Sequence, residues 1–575
     1  MGNVGAQGST GVGPSGTSSS TTIVTDGGTG SSGSNGAGEL NPHVPTSSAQ
    51  GDTPTTLVAA GAGSVEVFVN GMRIGVSARD RALTLAAALR AGERNVIALR
   101  ARRQAGDTTG VHVQLTGPFG TVGTNSQWRA KAARATERDD AGGPWAEPSF
   151  ADAAWEQATD LAGAAPAGFP ADGPARGVWT SRPSDDVILL RLTLYVPSPA
   201  SYRTPQGFGH AVTGGAGGQV VRVTSPRALA QALSGSTPRI VEVVGALDFR
   251  GSEGTASEQV CYQMKCPAPL ESELRAARQG GDCSGKSTFR YTYDAAGTKP
   301  IAVGSNKTIL GVGPDAAIVG KGLSLRGSAS NVIIQNLAIR DINPELVWGG
   351  DALTLDGADR VWVDHVRFSR VGRQMLVTGF GKASNVTLSW NEFDGVTPYA
   401  AFCDGRHYWV WLLLGASDTI TLANNWVHHT SGRAPHAGGM NNATVTAHIV
   451  NNLFDQVKGH AADPDTSLTR LFLEANYFRN VDRPIDADPA APGNIFAPIG
   501  SSSAAAQSRC QQALGRACES NVAVPQSGRF SSNAGALSAF DQVDRAAVVT
   551  PYPADEVPYV VPHLAGPGHL PSEPN

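Results

Sequence analysis

Charge is what this chain has least of. Only 16% of its 575 residues are Asp, Glu, Lys or Arg, and the signs nearly cancel, 45 basic against 49 acidic for a net of −4. Without a basic patch there is no footprint for nucleic acid, and without a polybasic run there is none for an anionic membrane surface. No stretch of about 18 apolar residues occurs, so no bilayer-spanning helix is expected. The opening residues, MGNVGAQGSTGVGPSG, have neither a basic region nor an apolar core, and are not an intact signal peptide. The six cysteines include no C-x-x-C pair, which argues against a structural zinc site.

What is abundant points to β structure. Gly 69 and Pro 36 suit a turn-rich β protein better than a helical one. The length exceeds one ordinary domain, so two or three are expected. Cys261, Cys266, Cys283, Cys403, Cys510 and Cys518 make an even count in loop-like segments. That fits three disulfides in an oxidising compartment, with the pairing left open by spacing alone.

Three zones follow. Residues 1–52 are rich in Gly, Ser and Thr, with almost no large apolar side chain, and read as a flexible linker. Such a start is expected of a chain that begins inside a longer protein. In residues 53–200, Val65-Glu-Val-Phe-Val-Asn-Gly71 alternates and ends on Asn-Gly, a hairpin signal. Asn95-Val-Ile-Ala-Leu-Arg100 and the run 187–196 are further strands, and Asn125-Ser-Gln-Trp-Arg129, Trp145, Phe150-Ala-Asp-Ala-Ala-Trp155 and Trp179 complete a pattern. Together these resemble the galactose-binding-like β-sandwich attached to carbohydrate-active enzymes. Such a module either binds sugar or merely spaces the catalytic unit.

Residues 205–565 carry an irregular repeat of strand-like runs: NVIIQNLAI, RVWVDHVRF, NVTLSWNEF, TITLANNWV, VTAHIVNNLF and RLFLEANYF. Aligning them on Asn336, His365, Asn391, Asn425, Asn452 and Asn476 gives spacings of 24 to 34 residues. A conserved strand with variable spacing means one core rung with loops of different length, which is a right-handed parallel β-helix. Asn tolerates the left-handed conformation of a tight bend, and stacked amides can hydrogen-bond along the rungs.

Motifs along this repeat resemble the pectin lyase family. They run from Ser305-Asn-Lys-Thr-Ile-Leu-Gly311 through Val347-Trp-Gly-Gly-Asp-Ala352, Trp362-Val-Asp-His365 and Val371-Gly-Arg-Gln374. Cys403-Asp-Gly-Arg-His-Tyr-Trp409, Ser431-Gly-Arg-Ala-Pro435 and Gly459-His-Ala461 complete the series in the family's order. The resemblance implies β-elimination of methyl-esterified polygalacturonate, with pectin as the partner polymer, a secreted monomer, and no cofactor or metal.

By the resemblance, Arg433 is the base that takes the C5 proton, and Arg373 stands where calcium-dependent relatives keep an acidic ligand. A fixed cation there repels calcium and can stabilise the oxyanion. An esterified uronate carries one negative charge in its enolate-like transition state, whereas an ionised one builds up two. Asp351 matches the family's retained cleft acid, although an Asp after Gly349-Gly350 also suits a plain turn. Trp409 and Tyr408 match cleft aromatics that pack on sugar C–H faces, and Tyr262 stands in for another. Asp364 and His365 invite a dyad reading, but within the family they are structural. The implied disulfides are Cys261–Cys283, Cys266–Cys403 and Cys510–Cys518. One position departs: His436 occupies the place of a family lysine, so its charge depends on pH near neutrality. The alternatives are a calcium-dependent pectate lyase and a non-catalytic polysaccharide-binding β-helix.

Overall fold

In the run Asn331-Val-Ile-Ile-Gln335, Val332 and Ile334 point to one face and Ile333 to the other, as the two-residue period of a strand requires. The inner face repeats rung after rung: Val332 pairs with Val361, then Val386, Ile420, Ala447, Leu471 and Ile495, all in parallel register. These side chains are fully or almost fully buried in one continuous core. The computed structural model describes residues 55–570 apart from short internal stretches, the longest being 134–143, 162–168, 197–203 and 487–493. The linker expected over 1–52 lies outside the described residues.

Each turn of this parallel β-helix contributes three strands, for example Ser330–Gln335, Ala338–Ile342 and Leu353–Thr354. The first two kinds stack into an 18-stranded sheet, and the third into a sheet of seven short strands running from Ile301–Ala302 to Asp463–Pro464. Aromatic rings stack along the axis where rungs coincide, Phe368 on Phe393 at 4.9 Å and Phe454 on Phe478 at 4.8 Å.

The asparagines divide two roles between adjacent positions. Left-handed φ falls on Asn336, His365, Trp390, Asn424, Asn451 and Ala475, which share one bend of the rung. The amide ladder lies one residue later: Asn391 Nδ2 donates to Asn425 at 2.9 Å, Asn425 to Asn452 at 2.9 Å, Asn452 to Asn476 at 3.0 Å, and Asn476 to Asn521 at 2.9 Å. The alignment of Asn336 and His365 with these ladder residues is therefore one position out of register. Both roles attract Asn, and spacing alone does not separate neighbours.

Residues 56–196 form antiparallel sheets of four and six strands around buried Leu57, Val67, Leu99, Trp128, Trp179 and Leu190. The hairpin Ser64–Val69 with Met72–Ser77 turns on Asn70 and Gly71, with φ of 51° and 81°. Two positive φ angles are what a two-residue turn matched to strand twist demands. The C-terminal helix Val557–Leu564 buries Val557, Val560, Val561 and Leu564 in this same cluster, which also takes in Trp390 and Leu453 of the β-helix. The last helix thus locks the N-terminal sheets to the rungs.

Candidate active site

The sheet of seven short strands collects the candidate residues. Asp351, Arg373, Trp409 and Arg433 each lie within three residues of the start of successive strands Leu353–Thr354, Leu376–Val377, Trp411–Leu413 and His436–Ala437. Because rungs enter this sheet in register, side chains distant in sequence are brought side by side.

Arg373 Nη1 lies 3.3 Å from Asp351 Oδ2, and its Cζ is 4.0 Å from the centre of the Trp348 ring. The other Asp351 oxygen accepts the Gln374 amide at 2.9 Å. Burial raises the Asp351 carboxyl and lowers the Arg373 guanidinium, each against the pull of its partner, and the Arg433 charge adds to the lowering of Arg373. An arginine starts so high that Arg373 stays cationic at neutral pH. Asp356, five residues after Asp351, accepts the Gly381 amide at 2.7 Å in a turn and lies 4.0 Å from Arg326.

Arg433 holds a left-handed backbone, φ 55°, and its carbonyl accepts the Trp411 amide at 2.6 Å. Its Cζ sits 4.6 Å from the Trp409 ring centre and 5.4 Å from that of Tyr408. The buried Nε has no hydrogen-bond partner, and the Arg433 charge acts on both Asp463 and Arg373. Gly432 makes room for the approach, since a Cβ there would lie 2.4 Å from Tyr408 Cε2. Tyr408 packs edge-on to Trp409 at 5.0 Å and to His460 at 5.8 Å.

Trp409 is held from behind by a pair that the sequence motifs did not single out. Its indole N–H donates to Glu273 Oε2 at 3.0 Å, while Arg275 approaches Glu273 Oε1 at 2.9 Å and stands 4.7 Å from the same indole centre. Burial raises the Glu273 carboxyl, and Arg275 and the indole N–H oppose it. Cys266–Cys403 and the pairing of Glu271–Ser272 with Tyr399–Ala400 bring this segment to Trp409. The other disulfides join Cys261 to Cys283 and Cys510 to Cys518. Glu273 and Arg275 share one face by strand alternation, a signal visible in the sequence, but the indole they reach is 136 residues away. Trp348, inside the Val347–Ala352 motif, has a role that only its contact with Arg373 reveals.

His436 Nδ1 lies 2.6 Å from Asp463 Oδ2, and His460 Nε2 lies 3.6 Å from the same oxygen. Burial would raise Asp463, but the hydrogen bond from His436 and the charges around it hold the carboxyl below its usual range. His436 is therefore tied to an acid and is not an isolated cation. His407 is buried, with Nε2 at 2.9 Å from the Arg373 carbonyl and 3.0 Å from that of Trp409; burial pushes its ring down to about 4. It clamps two site strands as a neutral imidazole.

Tyr262 packs on Phe289 at 4.9 Å, where strands Thr255–Tyr262 and Phe289–Asp294 pair, and not against the arginines. Asp364 and His365 are fully buried; His365 Nδ1 sits 2.7 Å from Asp364, which also accepts from Ser389 and Gln335. That dyad fills a rung and faces no substrate. Among the described residues no group of three or more His, Cys, Asp and Glu side chains converges as a metal site.

A family model described as pectate lyase matches residues 278–524. The probable pectin lyase F-1 of Aspergillus terreus is 41% identical over 386 residues, covering 66% of this chain and 98% of its own length. The probable pectin lyase E of Aspergillus fumigatus is 41% identical over 371 residues, covering 64% of this chain and 95% of its own. The solved pectate lyase II of Xanthomonas campestris aligns at 20% identity over 64% of this chain and all of its own, with a TM-score of 0.38.

Proposed function

The chain belongs to the pectin lyase family, and on that premise we propose that it cleaves methyl-esterified polygalacturonate by β-elimination without calcium. In the proposed reaction Arg433 takes the C5 proton, the C5–H electrons form the C4=C5 double bond, and the C4–O bond breaks. The leaving oxygen is protonated and an unsaturated uronide end remains. The observation that carries this reading is Arg433 itself, a half-buried guanidinium packed on two aromatic rings with its Nε unpaired. A guanidinium is an unpromising base, because in water it keeps its proton far above neutral pH. The Arg433 side chain packs against the two rings, and its charge acts on Arg373. Arg373, anchored by Asp351, takes the single negative charge that grows on the esterified carbonyl. Trp409, with Tyr408, offers an apolar wall to the sugar face.

Around this core we propose a secreted monomer whose partner is pectin. The β-helix domain spans 205–565, and the galactose-binding-like sandwich of 53–200 serves as an accessory module. One assay separates the readings: highly methylated pectin and polygalacturonate, each with and without chelator, followed by the ultraviolet absorbance of the unsaturated product. Activity on pectin that survives chelator is expected. Chelator-sensitive cleavage of polygalacturonate would replace this reading with a calcium-dependent pectate lyase, and no product from either would leave a binding protein.

A further inference from the structure

Exposed apolar side chains are ordinary when scattered and informative when gathered. Ten large ones are exposed among the described residues, and four of them, Tyr262, Met264, Val396 and Phe402, lie on two segments that meet at one disulfide. Cys266–Cys403 sets its two Cα atoms 5.3 Å apart, with Met264 two residues from one end and Phe402 adjacent to the other. An isolated bridge from Val396 to Arg406 folds the Val396 turn back beside them. Phe402 is 51% exposed and Met264 49%.

The patch is continuous with the site. The Phe402 ring meets Tyr408 edge-on at 5.6 Å, Tyr408 meets Trp409 at 5.0 Å, and Arg433 lies over both of the latter rings. A chain of aromatic contacts therefore leads from exposed Phe402 through Tyr408 to the arginine. A polymer longer than the reacting sugar, with its C–H faces and methyl ester caps, is the occupant this surface suits. An ionised uronate would have to shed water against Phe402 and Met264, whose side chains offer nothing in return. Lys265, between Met264 and Cys266, stands 5.7 Å from the Tyr262 ring.

We propose that Phe402 and Met264 form an outlying subsite that binds a methyl-esterified uronide remote from the bond being cut. The proposal rests on the pectin-cleaving reading above. Its test is steady-state kinetics of the full chain with Phe402→Ser, Met264→Ser and Phe402→Trp, on long highly esterified pectin and on short esterified oligomers. The serine variants are expected to raise KM for long pectin about fivefold to tenfold at unchanged kcat, as loss of an aromatic or apolar contact to a sugar would. Phe402→Trp should keep the wild-type KM, and short oligomers should show no change. An unchanged KM in both serine variants, with the wild type active, would overturn the subsite and leave the pectin reading standing. So would equal losses on long and short substrates, or altered self-association in sedimentation with wild-type kinetics, which would make the patch a contact between copies. A wild-type chain that yields no unsaturated product would defeat the pectin reading and the subsite together.

Discussion

Glu273→Gln probes the support behind Trp409 with little change of shape. The amide still offers an oxygen to the indole N–H, but the charge opposite Arg275 is gone. Both partners are largely buried, with side-chain exposures of 5% and 11%. Arg275 and Arg433 each stand within 4.7 Å of the one indole centre, so their Cζ atoms are roughly 9 Å apart at most. At an effective dielectric of about 20, two like charges at that distance repel by about 2 kcal/mol, and Glu273 is the carboxylate that offsets it. Arg275 retains Asp282 at 3.8 Å, which holds the loss below the ~3–5 kcal/mol of a fully orphaned buried charge. The expected outcome is about 2 kcal/mol of stability lost, read by denaturant unfolding, and kcat on esterified pectin lowered about tenfold with KM little changed. In a Trp409→Phe background, which removes the indole N–H, the effect of Glu273→Gln on kcat should shrink. Wild-type kcat in Glu273→Gln, or strict additivity of the two substitutions, would refute the link from Glu273 through Trp409 to the arginine.

Three further outcomes follow from the geometry. The buried His407 ring, at about 4 against an ordinary value near 6.5, is neutral in the fold; its contribution is full above pH 6.5 and is lost as pH falls through 4, about 3 kcal/mol in all. His407→Gln should flatten the loss of thermal stability over that window, and an unchanged slope would contradict the assignment. Asn425→Ala removes four buried hydrogen bonds, two donated to Leu388 and Asn452 and two accepted from the amide and side chain of Asn391, and should cost about 3 kcal/mol in denaturant unfolding. A cost below about 1 kcal/mol would show that the ladder adds little. His436→Lys exchanges an imidazole bonded to Asp463 at 2.6 Å for an ammonium on a longer stem, and should change the pH–rate profile; an unmoved profile sinks that role for His436.

The repeat was legible because a parallel β-helix uses one strand pattern per rung, and Val332, Val361, Val386 and Ile420 stack as that pattern requires. Its exact register was not: Asn serves both the left-handed bend and the amide ladder, and these occupy neighbouring positions such as Asn424 and Asn425. Arg433, Arg373, Asp351 and Trp409 stood in compact motifs before strands, so local reading reached them. Glu273 and Arg275 did not, because their role comes from a contact across 136 residues made possible by the Cys266–Cys403 bridge. The helix Val557–Leu564 carries Pro558 and, in its interior, Pro562, yet packing against the N-terminal sheets holds it helical. Tertiary burial there outweighs a propensity that proline makes poor.

The central claim is that elimination runs through Arg433 on an esterified chain without a metal. The most direct test is kcat for wild type, Arg433→Lys and Arg433→Ala on highly methylated pectin in excess chelator, followed by the unsaturated product's absorbance. Wild type should keep its full rate, with Arg433→Lys lowered by at least about a hundredfold and Arg433→Ala by at least about a thousandfold. A wild-type rate abolished by chelator, or an Arg433→Ala protein that keeps its rate, would contradict the account.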